Sequence, residues 1–362
     1  SRGRRCDKVK RFMTTFSPQA ARPLRSTTGS SAASSRRERL RAIRALPLLG
    51  LGLAMACASA CAPGATGSPN RYPARNILVI SLCSVRADHT SLLGYPRATT
   101  PALTAFSQDA WVFSHAVTQW PKTVPAFATL LTGRYGHSNG VMRVTPGQRL
   151  DDDELTIAEV LRERGFDTAA FISSGALHAG TNIFQQGFTT VEETFRGPDN
   201  FAMATELATK WIEQPRERPF FAWVHYNNAH WPYRAPGAPS EIFVDDAFYD
   251  PTRKLRINSP EPLDLDVPSD HPYRKQIVRP DFGGIRPRAV LPERPTELAF
   301  YVARYDAGIL GADRTLAPLL DAVRRLGRLD DTVVVVVSDH GEALGEHDYF
   351  FEHGRLPYDD CA

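Results

Sequence analysis

Continuous apolar runs alternate with amphipathic stretches over most of the chain. Four short runs have the composition of strands buried on both faces of a parallel sheet, and they lie at residues 76–82, 168–172, 220–224 and 332–337. Three amphipathic stretches have helical spacing, at residues 100–106, 155–164 and 297–326. Strands that alternate with helices predict an α/β domain with a mainly parallel central sheet, covered on both faces.

Residues 235–295 interrupt this alternation. They are rich in Pro, Arg and Asp, so we predict a long surface insertion there. Outside the insertion, parallel sheets of this kind bind ligands beyond the carboxyl ends of their strands. That rule selects the residues that follow Leu82, Val224 and Val337, and polar side chains stand at all three places.

The segment after Val337 suits a divalent cation. Asp339 and His340 stand side by side at the strand end, and Gly341 permits a close approach of the backbone. More acidic and imidazole side chains follow closely, namely Glu342, Glu346, His347, Glu352 and His353. A hydrogen-bonded turn is the alternative interpretation of the Asp-His-Gly triplet alone.

The segment after Val224 contains two histidines, His225 and His230, with amide and aromatic side chains around them. This composition predicts binding of an anionic or sugar-like group. A structural role for each histidine is the alternative.

Lys122 and Thr123 precede a short segment that ends in Thr132 and Gly133. The Thr123 hydroxyl is a candidate nucleophile at a helix N-terminus, where the partial positive charge favours an anionic substrate and an ionised oxygen. The alternative is that Thr123 is simply a helix N-cap, a position at which threonine is common.

Together these segments resemble the sulfatase family over residues 76–362. The family motif is Cys or Ser, any residue, Pro, Ser, Arg or a substitute, two residues, Leu, any residue, Thr-Gly. It is similar to the sequence at residues 123–133, with further matches at residues 86–89 and 338–342. The resemblance implies an alkaline-phosphatase-like three-layer α/β/α sandwich and a metal-dependent hydrolase or transferase of phosphate or sulfate esters. Because the family continues further, we expect the C-terminal part of the domain to be missing.

The resemblance also implies roles for the candidate residues. One divalent ion, either zinc, manganese, calcium or magnesium, would be held by Asp339, His340, Thr123 and Cys83, and a Cys83 thiolate would favour zinc. The catalytic candidates are Thr123, Lys122 and His230. The candidates for binding the substrate anion are His225, His347 and His353.

Three residues depart from the family pattern. Formylglycine can be made only from Cys or Ser, so Thr123 cannot supply it, although Thr matches the nucleophile of related phosphodiesterases and phosphoglycerol transferases. Cys83 stands where the family has a metal-binding Asp, and Phe127 stands where Arg or His helps to hold the nucleophile. A second hypothesis is therefore a catalytically inactive relative that binds an anionic glycan or lipid head group. In that case Cys83 is a small buried hydrophobic residue.

The order of basic, apolar and small residues within residues 1–61 predicts export. A basic segment at residues 36–41 precedes an apolar segment at residues 45–56 that is short for a membrane span, and small residues then lead to Cys61. This order resembles a bacterial lipoprotein signal, so we expect a lipidated Cys61 at the membrane of the cell envelope. Residues 62–73 form a flexible tether and residues 74–362 the catalytic domain. A plain signal peptide is the alternative.

The charge distribution disfavours one class of partner. Residues 1–44 hold 13 of the 43 basic residues and 2 of the 40 acidic residues, which leaves 30 basic and 38 acidic residues in the rest. An acidic body of this kind lacks the basic surface that nucleic acid requires, so we expect no nucleic-acid partner.

Overall fold

A computed structural model gives the architecture of the protein. It describes residues 75–142, 149–177, 179–181, 183–195, 200–231, 233, 237–252, 297–346, 351 and 353. The leader, the tether and most of the predicted insertion lie outside these residues. Within the described part of the chain, no helix is both long and apolar enough to cross a membrane.

Among the described residues, five parallel strands form the central sheet. In chain order they are β1 Asn76–Leu82, β2 Asp167–Ile172, β3 Thr190–Glu193, β4 Phe220–Tyr226 and β5 Thr332–Ser338. Their order across the sheet is β3-β2-β4-β1-β5, and every pairing is parallel. Strand β1 therefore lies between β4 and β5, so three strand ends that the sequence marks as functional are neighbours.

The helices of the described residues connect these strands. They are α1 Pro101–Phe106, α2 Thr123–Thr132, α3 Gly136–Asn139, α4 Ile157–Glu163, α5 Asn200–Glu213 and α6 Leu298–Arg325. Short 3₁₀ helices lie at Ala87–His89, Ser91–Leu93, Ser107–Asp109, Gly175–Leu177, Ala179–Thr181 and Leu329–Asp331. A capping box begins α4, because the Thr156 side chain accepts from the Glu159 N–H while Glu159 bonds back to the Thr156 N–H. Such a start fixes where the helix begins.

The two faces of the sheet bury different side chains, as the alternation of a strand requires. Leu78 and Ile80 of β1 belong to a core cluster that includes Phe201 of α5 and residues of α6. Trp223 of β4 belongs to a second cluster that includes Phe127 of α2. With helices packed on both faces, the domain is a three-layer α/β/α sandwich.

The predicted elements are present within a few residues of their predicted bounds. All four predicted strands and all three amphipathic helices occur in the structure. Strand β3 and helices α3 and α5 were not predicted. Strand β3 is short, half-exposed and polar, with the sequence Thr-Val-Glu-Glu, so it carries no apolar run.

Candidate functional site

Three strand ends meet at the carboxyl edge of the sheet. Leu82 of β1 is aligned with Tyr226 of β4 and with Ser338 of β5. Just beyond the strands, the Cys83 N–H donates to the Tyr226 carbonyl at 2.8 Å and the Asp339 N–H donates to the Leu82 carbonyl at 3.4 Å. The register therefore places Cys83 and Asp339 next to each other, as the strand-end rule predicts.

Cys83, Asp339 and His340 form a buried cluster, here called the ligand cluster. One potential ligand atom from each residue lies within 4.8 Å of the others. Thr123 joins them, because its Oγ1 lies 3.1 Å from His340 Nε2 and 3.7 Å from Cys83 Sγ. The structure thus brings together the four residues that the family resemblance assigns to the metal and the nucleophile.

The two carboxylate oxygens of Asp339 have different surroundings. Oδ1 accepts hydrogen bonds from the backbone N–H groups of Ser84 and His340, at 3.0 and 2.8 Å. Oδ2 is buried and lies 3.4 Å from His340 Nε2, but it has no hydrogen-bond partner among the described residues. A buried carboxylate oxygen without a donor is unfavourable unless something else compensates its charge. Oδ2 therefore marks a place where a cation would be stabilised.

Ser84 holds Asp339 in place through an unusual backbone conformation. Its φ is +60°, a value that residues other than glycine rarely adopt. The Ser84 N–H is bound to Asp339, and its carbonyl accepts a hydrogen bond from the Tyr305 hydroxyl at 2.6 Å. Strained backbone of this kind persists only where its surroundings hold it, and Tyr305 on α6 supplies that support.

His340 is held in a single tautomer. Its Nδ1 lies 2.7 Å from the Gly341 carbonyl, which only accepts hydrogen bonds, so Nδ1 carries the hydrogen. Burial lowers the pKa of His340 to about 4, so the ring is neutral at pH 7. The unprotonated Nε2 then faces the Thr123 hydroxyl, and an imidazole in this form can bind a metal ion.

Thr123 is the first residue of α2. The N-cap is Lys122, whose side chain makes no capping hydrogen bond, so the N-cap interpretation of Thr123 does not hold. The Thr123 hydroxyl lies at the helix N-terminus, where the helix dipole favours negative charge. Lys122 Nζ donates to the His353 carbonyl at 3.2 Å, which links α2 to the segment around His353.

The Cys83 thiol is neutral in the absence of a metal ion. Burial raises its pKa well above the usual value, and the charge of Asp339 raises it further. A bound divalent cation reverses this preference, because a coordinating thiol loses its proton. Without a bound cation the Cys83 thiol therefore keeps its proton, and a divalent cation at this place would favour the thiolate.

Three histidines surround a buried carboxylate beside the ligand cluster. The rings of His340 and His353 are stacked with their centroids 4.2 Å apart, and His230 lies edge-on to His353 at 5.3 Å. His353 Nδ1 lies 2.9 Å from Glu342 Oε1, and His230 Nδ1 donates to the Trp231 carbonyl at 2.6 Å. Burial raises the pKa of Glu342, while the neighbouring imidazoles and Lys122 oppose that shift.

His225 lies in the core beneath the ligand cluster. Its Nδ1 is 2.9 Å from the Ser81 hydroxyl, which also accepts the Trp223 indole N–H at 2.7 Å. Its Nε2 is buried without a hydrogen-bond partner in the described part of the chain, and burial lowers the pKa of His225 to about 4. The Phe127 ring packs edge-on against it, with the centroids 5.0 Å apart. A role for His225 in binding substrate stays a prediction.

Part of this arrangement has no sequence signal. Ser84 and Tyr305 support Asp339, yet neither belongs to a motif that marks it. The sequence marks Glu342 only as one of several acidic residues that lie close to histidines. His347, predicted to bind the substrate anion, lies outside the described residues.

The donor set of the ligand cluster fits a divalent cation. Among the described residues, it offers sulfur from Cys83, nitrogen from His340 and an Asp339 oxygen that accepts no hydrogen bond. Sulfur and imidazole ligands together are typical of zinc, whereas calcium and magnesium prefer oxygen alone.

A family profile matches nearly all of the domain that contains this site. The profile of the Sulfatase family matches residues 75–359. The chain therefore belongs to the sulfatase family.

Individual relatives are distant. The chain is 24% identical to the endo-4-O-sulfatase of Bacteroides thetaiotaomicron over 298 residues, which cover 68% of this chain and 52% of that protein. It is 26% identical to the ulvan-active sulfatase of Formosa agariphila over 285 residues, which cover 75% of this chain and 52% of that protein. The chain thus spans about half the length of these curated relatives.

A solved structure supports the fold. The phosphonate monoester hydrolase of Agrobacterium radiobacter aligns with a TM-score of 0.56 at 20% identity, over 79% of this chain and 66% of that chain. This likeness confirms the predicted alkaline-phosphatase-like α/β architecture.

Proposed function

We propose that this protein is a metal-dependent hydrolase or transferase of phosphate or sulfate esters, with Thr123 as its nucleophile. The observation that carries the proposal is the 3.1 Å contact between the Thr123 hydroxyl and His340 Nε2, within the buried ligand cluster. Two relatives whose names state sulfatase activity support the ester class.

Each residue of the site would have a separate role in such a reaction. Asp339, His340 and Cys83 would hold the ion. When bound, it supplies positive charge that lowers the pKa of the Thr123 hydroxyl and neutralises the non-bridging ester oxygens. Thr123 attacks the phosphorus or sulfur atom, and the electron pair of the broken ester bond goes to the leaving oxygen. The N-terminus of α2 stabilises negative charge on the Thr123 oxygen. Lys122 and His230 are the candidates for binding the anion and protonating the leaving oxygen.

The nucleophile favours phosphoesters over sulfate esters. A threonine hydroxyl forms a simple ester with the transferred group, whereas the formylglycine chemistry of sulfate release requires Cys or Ser. We therefore propose phosphate mono- or diesters as the preferred substrates, with an anionic glycan, lipid head group or small molecule as the alcohol part.

A second candidate function rests on Phe127. Its ring occupies an apolar environment made by Phe184, Trp223 and His225, so it offers no polar group to Thr123. A catalytically inactive sulfatase-family protein that binds an anionic glycan or lipid head group is consistent with this arrangement.

The leader supports a site of action outside the cytoplasm. A basic segment, a short apolar segment and small residues before Cys61 support export and lipid attachment at the cell envelope. The ester substrate would then be extracytoplasmic.

The decisive experiment combines metal analysis with an ester screen. The purified protein is tested for bound metal and for hydrolysis of 4-nitrophenyl phosphate, bis(4-nitrophenyl) phosphate and 4-nitrophenyl sulfate. Thr123→Ala is expected to lose turnover by orders of magnitude. Thr129→Ala, on the same helix, is the matched control and should retain it. Hydrolysis that survives Thr123→Ala overturns the assignment of the nucleophile. A folded protein without metal or turnover favours the inactive alternative.

A further inference from the structure

We infer that the amino edge of the sheet faces the membrane to which the protein is attached, and that the ligand cluster faces away from it. This inference rests on the lipid attachment and the ester chemistry of the proposed function, and it narrows the substrate. The ester would belong to a glycan or a small molecule in the surrounding water, and not to a lipid of the membrane that carries the protein.

The tether enters the domain at the amino edge. Thirteen residues separate Cys61 from Arg75, and a flexible chain of that length has a root-mean-square end-to-end distance of about 20 Å. The Arg75 N–H donates to the Asp331 carbonyl at 2.7 Å, and the next residue, Asn76, is aligned with Thr332 at the start of β5. A lipid on Cys61 is therefore held close to the first residues of β1 and β5.

The ligand cluster lies at the other end of the same strands. Strand β1 runs from Asn76 to Leu82, and seven residues of a parallel strand span about 23 Å. Cys83 follows directly and belongs to the ligand cluster. Because every strand of the described sheet is parallel, the tether and the ligand cluster lie at opposite edges of it.

Aromatic side chains near the amino edge are exposed. Helix α1 ends at Phe106, whose ring centroid lies 5.7 Å from the Arg324 guanidinium carbon in the last turn of α6. Since α6 leads into β5, this contact lies at the amino edge. Shortly after Phe106, Trp111 is 91% exposed and Phe113 is 73% exposed, and Val333 at the start of β5 is 45% exposed. Exposed apolar side chains of this size mark an interaction surface, and Trp is typical of the membrane interface.

The charge of the same edge suits an anionic bilayer. The side chains of Arg324 and Arg325 are 53% and 62% exposed at the end of α6. Their partners are Asp321 and Glu213, at 3.1 and 3.4 Å. Exposed ion pairs of this kind are weak, so both guanidinium groups can turn toward lipid phosphates. Leu326 follows and is also exposed. Arginines beside exposed apolar side chains are typical of surfaces that lie in the membrane interface.

Helix α6 connects this edge to the side of the molecule that holds the site. A helix of its 28 residues is about 42 Å long. Tyr305, in its first third, donates to the Ser84 carbonyl beside the ligand cluster. Its N-cap, Glu297, accepts a hydrogen bond from the Tyr249 hydroxyl, so the exposed Phe248 lies near the first turn of α6. Phe248 is therefore an exposed aromatic position on the same side as the site.

Tryptophan fluorescence tests the inference by reporting contact with lipid. The purified mature protein is bound to vesicles of phosphatidylethanolamine and phosphatidylglycerol with brominated acyl chains, which quench a tryptophan only on close contact. Part of the wild-type emission should be quenched, and Trp111→Phe should remove that quenched part. The matched control is Phe248→Trp in the Trp111→Phe protein. It places a tryptophan on the side of the site and should add only unquenched emission.

Turnover gives a second readout. Because the ligand cluster faces water, the vesicle-bound protein should turn over 4-nitrophenyl phosphate as fast as the same protein in detergent. Mass spectrometry of the vesicle lipids after incubation should find them unchanged. Mass spectrometry of the protein establishes whether Cys61 carries a lipid, and circular dichroism establishes that each variant is folded.

Several results overturn the inference. Quenching that is unchanged in Trp111→Phe, or that is equally strong at position 248, contradicts the orientation, and so does a loss of turnover on attachment. Consumption of the vesicle lipids contradicts the narrowed substrate. A mature protein without a lipid on Cys61 also overturns the inference, and its mass distinguishes this failure from the others. Failure of the ester chemistry looks different, since turnover is then absent in detergent as well, while the quenching of Trp111 still decides the orientation.

Discussion

Phe127 packs edge-on against His225, with ring centroids 5.0 Å apart, on the helix that begins with Thr123. This apolar contact packs α2 against β4. Phe127 stands where the family resemblance implies an Arg or His that holds the nucleophile.

Removal of the Phe127 ring should destabilise the folded protein. Phe127→Ala is expected to lower the free energy of unfolding by about 3–5 kcal/mol, because the ring is fully buried between Phe184, Trp223 and His225. Leu130→Ala, at an exposed position of the same helix, should cost less than about 1 kcal/mol. Urea unfolding of the metal-free proteins measures both. Equal costs at the two positions would contradict the packing described.

Stability of the metal-free protein should fall in acid partly through His225. Burial lowers its pKa to about 4 from 6.5, so between these values the unfolded chain binds a proton that the folded chain does not. Stability therefore rises with pH across this window, by about 1.4 kcal/mol per pH unit from this group. Urea unfolding at pH 5 and pH 6 measures the slope. His225→Gln should reduce the slope without abolishing it, because His340 contributes in the same pH window. An unchanged slope would mean that His225 titrates normally.

Cys83 should determine which metal is preferred. Cys83→Ala is expected to lower zinc affinity by more than the roughly 10- to 100-fold that loss of an outer partner costs, because it removes a ligand. Cys83→Asp should shift the preference toward harder cations such as manganese. Competition with a chromophoric chelator measures both affinities. If metal content and activity are unchanged in both variants, Cys83 is a packing residue only.

Attachment to the membrane should depend on Cys61. In cells that express the complete chain, a fatty-acid analogue should label the protein, and Cys61→Ser should remove the label. Cys57→Ser is the matched control and should keep it. Persistent labelling of Cys61→Ser would refute lipidation at this residue.

Much of the fold was predictable because its strands are apolar. The valine run of β5 and the apolar run of β1 are recognisable as strands from their composition. The ends of these two strands place Cys83 and Asp339 at one edge of the sheet. Helix α5 was missed although Phe201, Ala204, Ala208 and Ile212 have helical spacing, since small alanines make a weak apolar stripe.

The finer arrangement of the site could not be predicted. The pairing of Glu342 with His353 and the burial of His225 beneath Phe127 depend on how loops and a helix pack over the sheet. The hydrophobic periodicity of the sequence indicates which face of a helix or strand is buried, but it does not indicate which loop residues come into contact. For the same reason, the support that Ser84 gives to Asp339 has no sequence signal beyond the strand that precedes it.

The position of β1 between β4 and β5 has a consequence for how the protein is made. Ser84 and Asp339 are 255 positions apart and Thr123 and His340 are 217 apart, so the site closes only after most of the chain has been synthesised. At the usual pace of translation, Cys83 emerges at least on the order of ten seconds before Asp339. Closing contacts over such separations is slow because the chain entropy is lost first. The contacts that bring Thr123 and Ser84 to His340 and Asp339 would therefore be among the last to form as the chain folds.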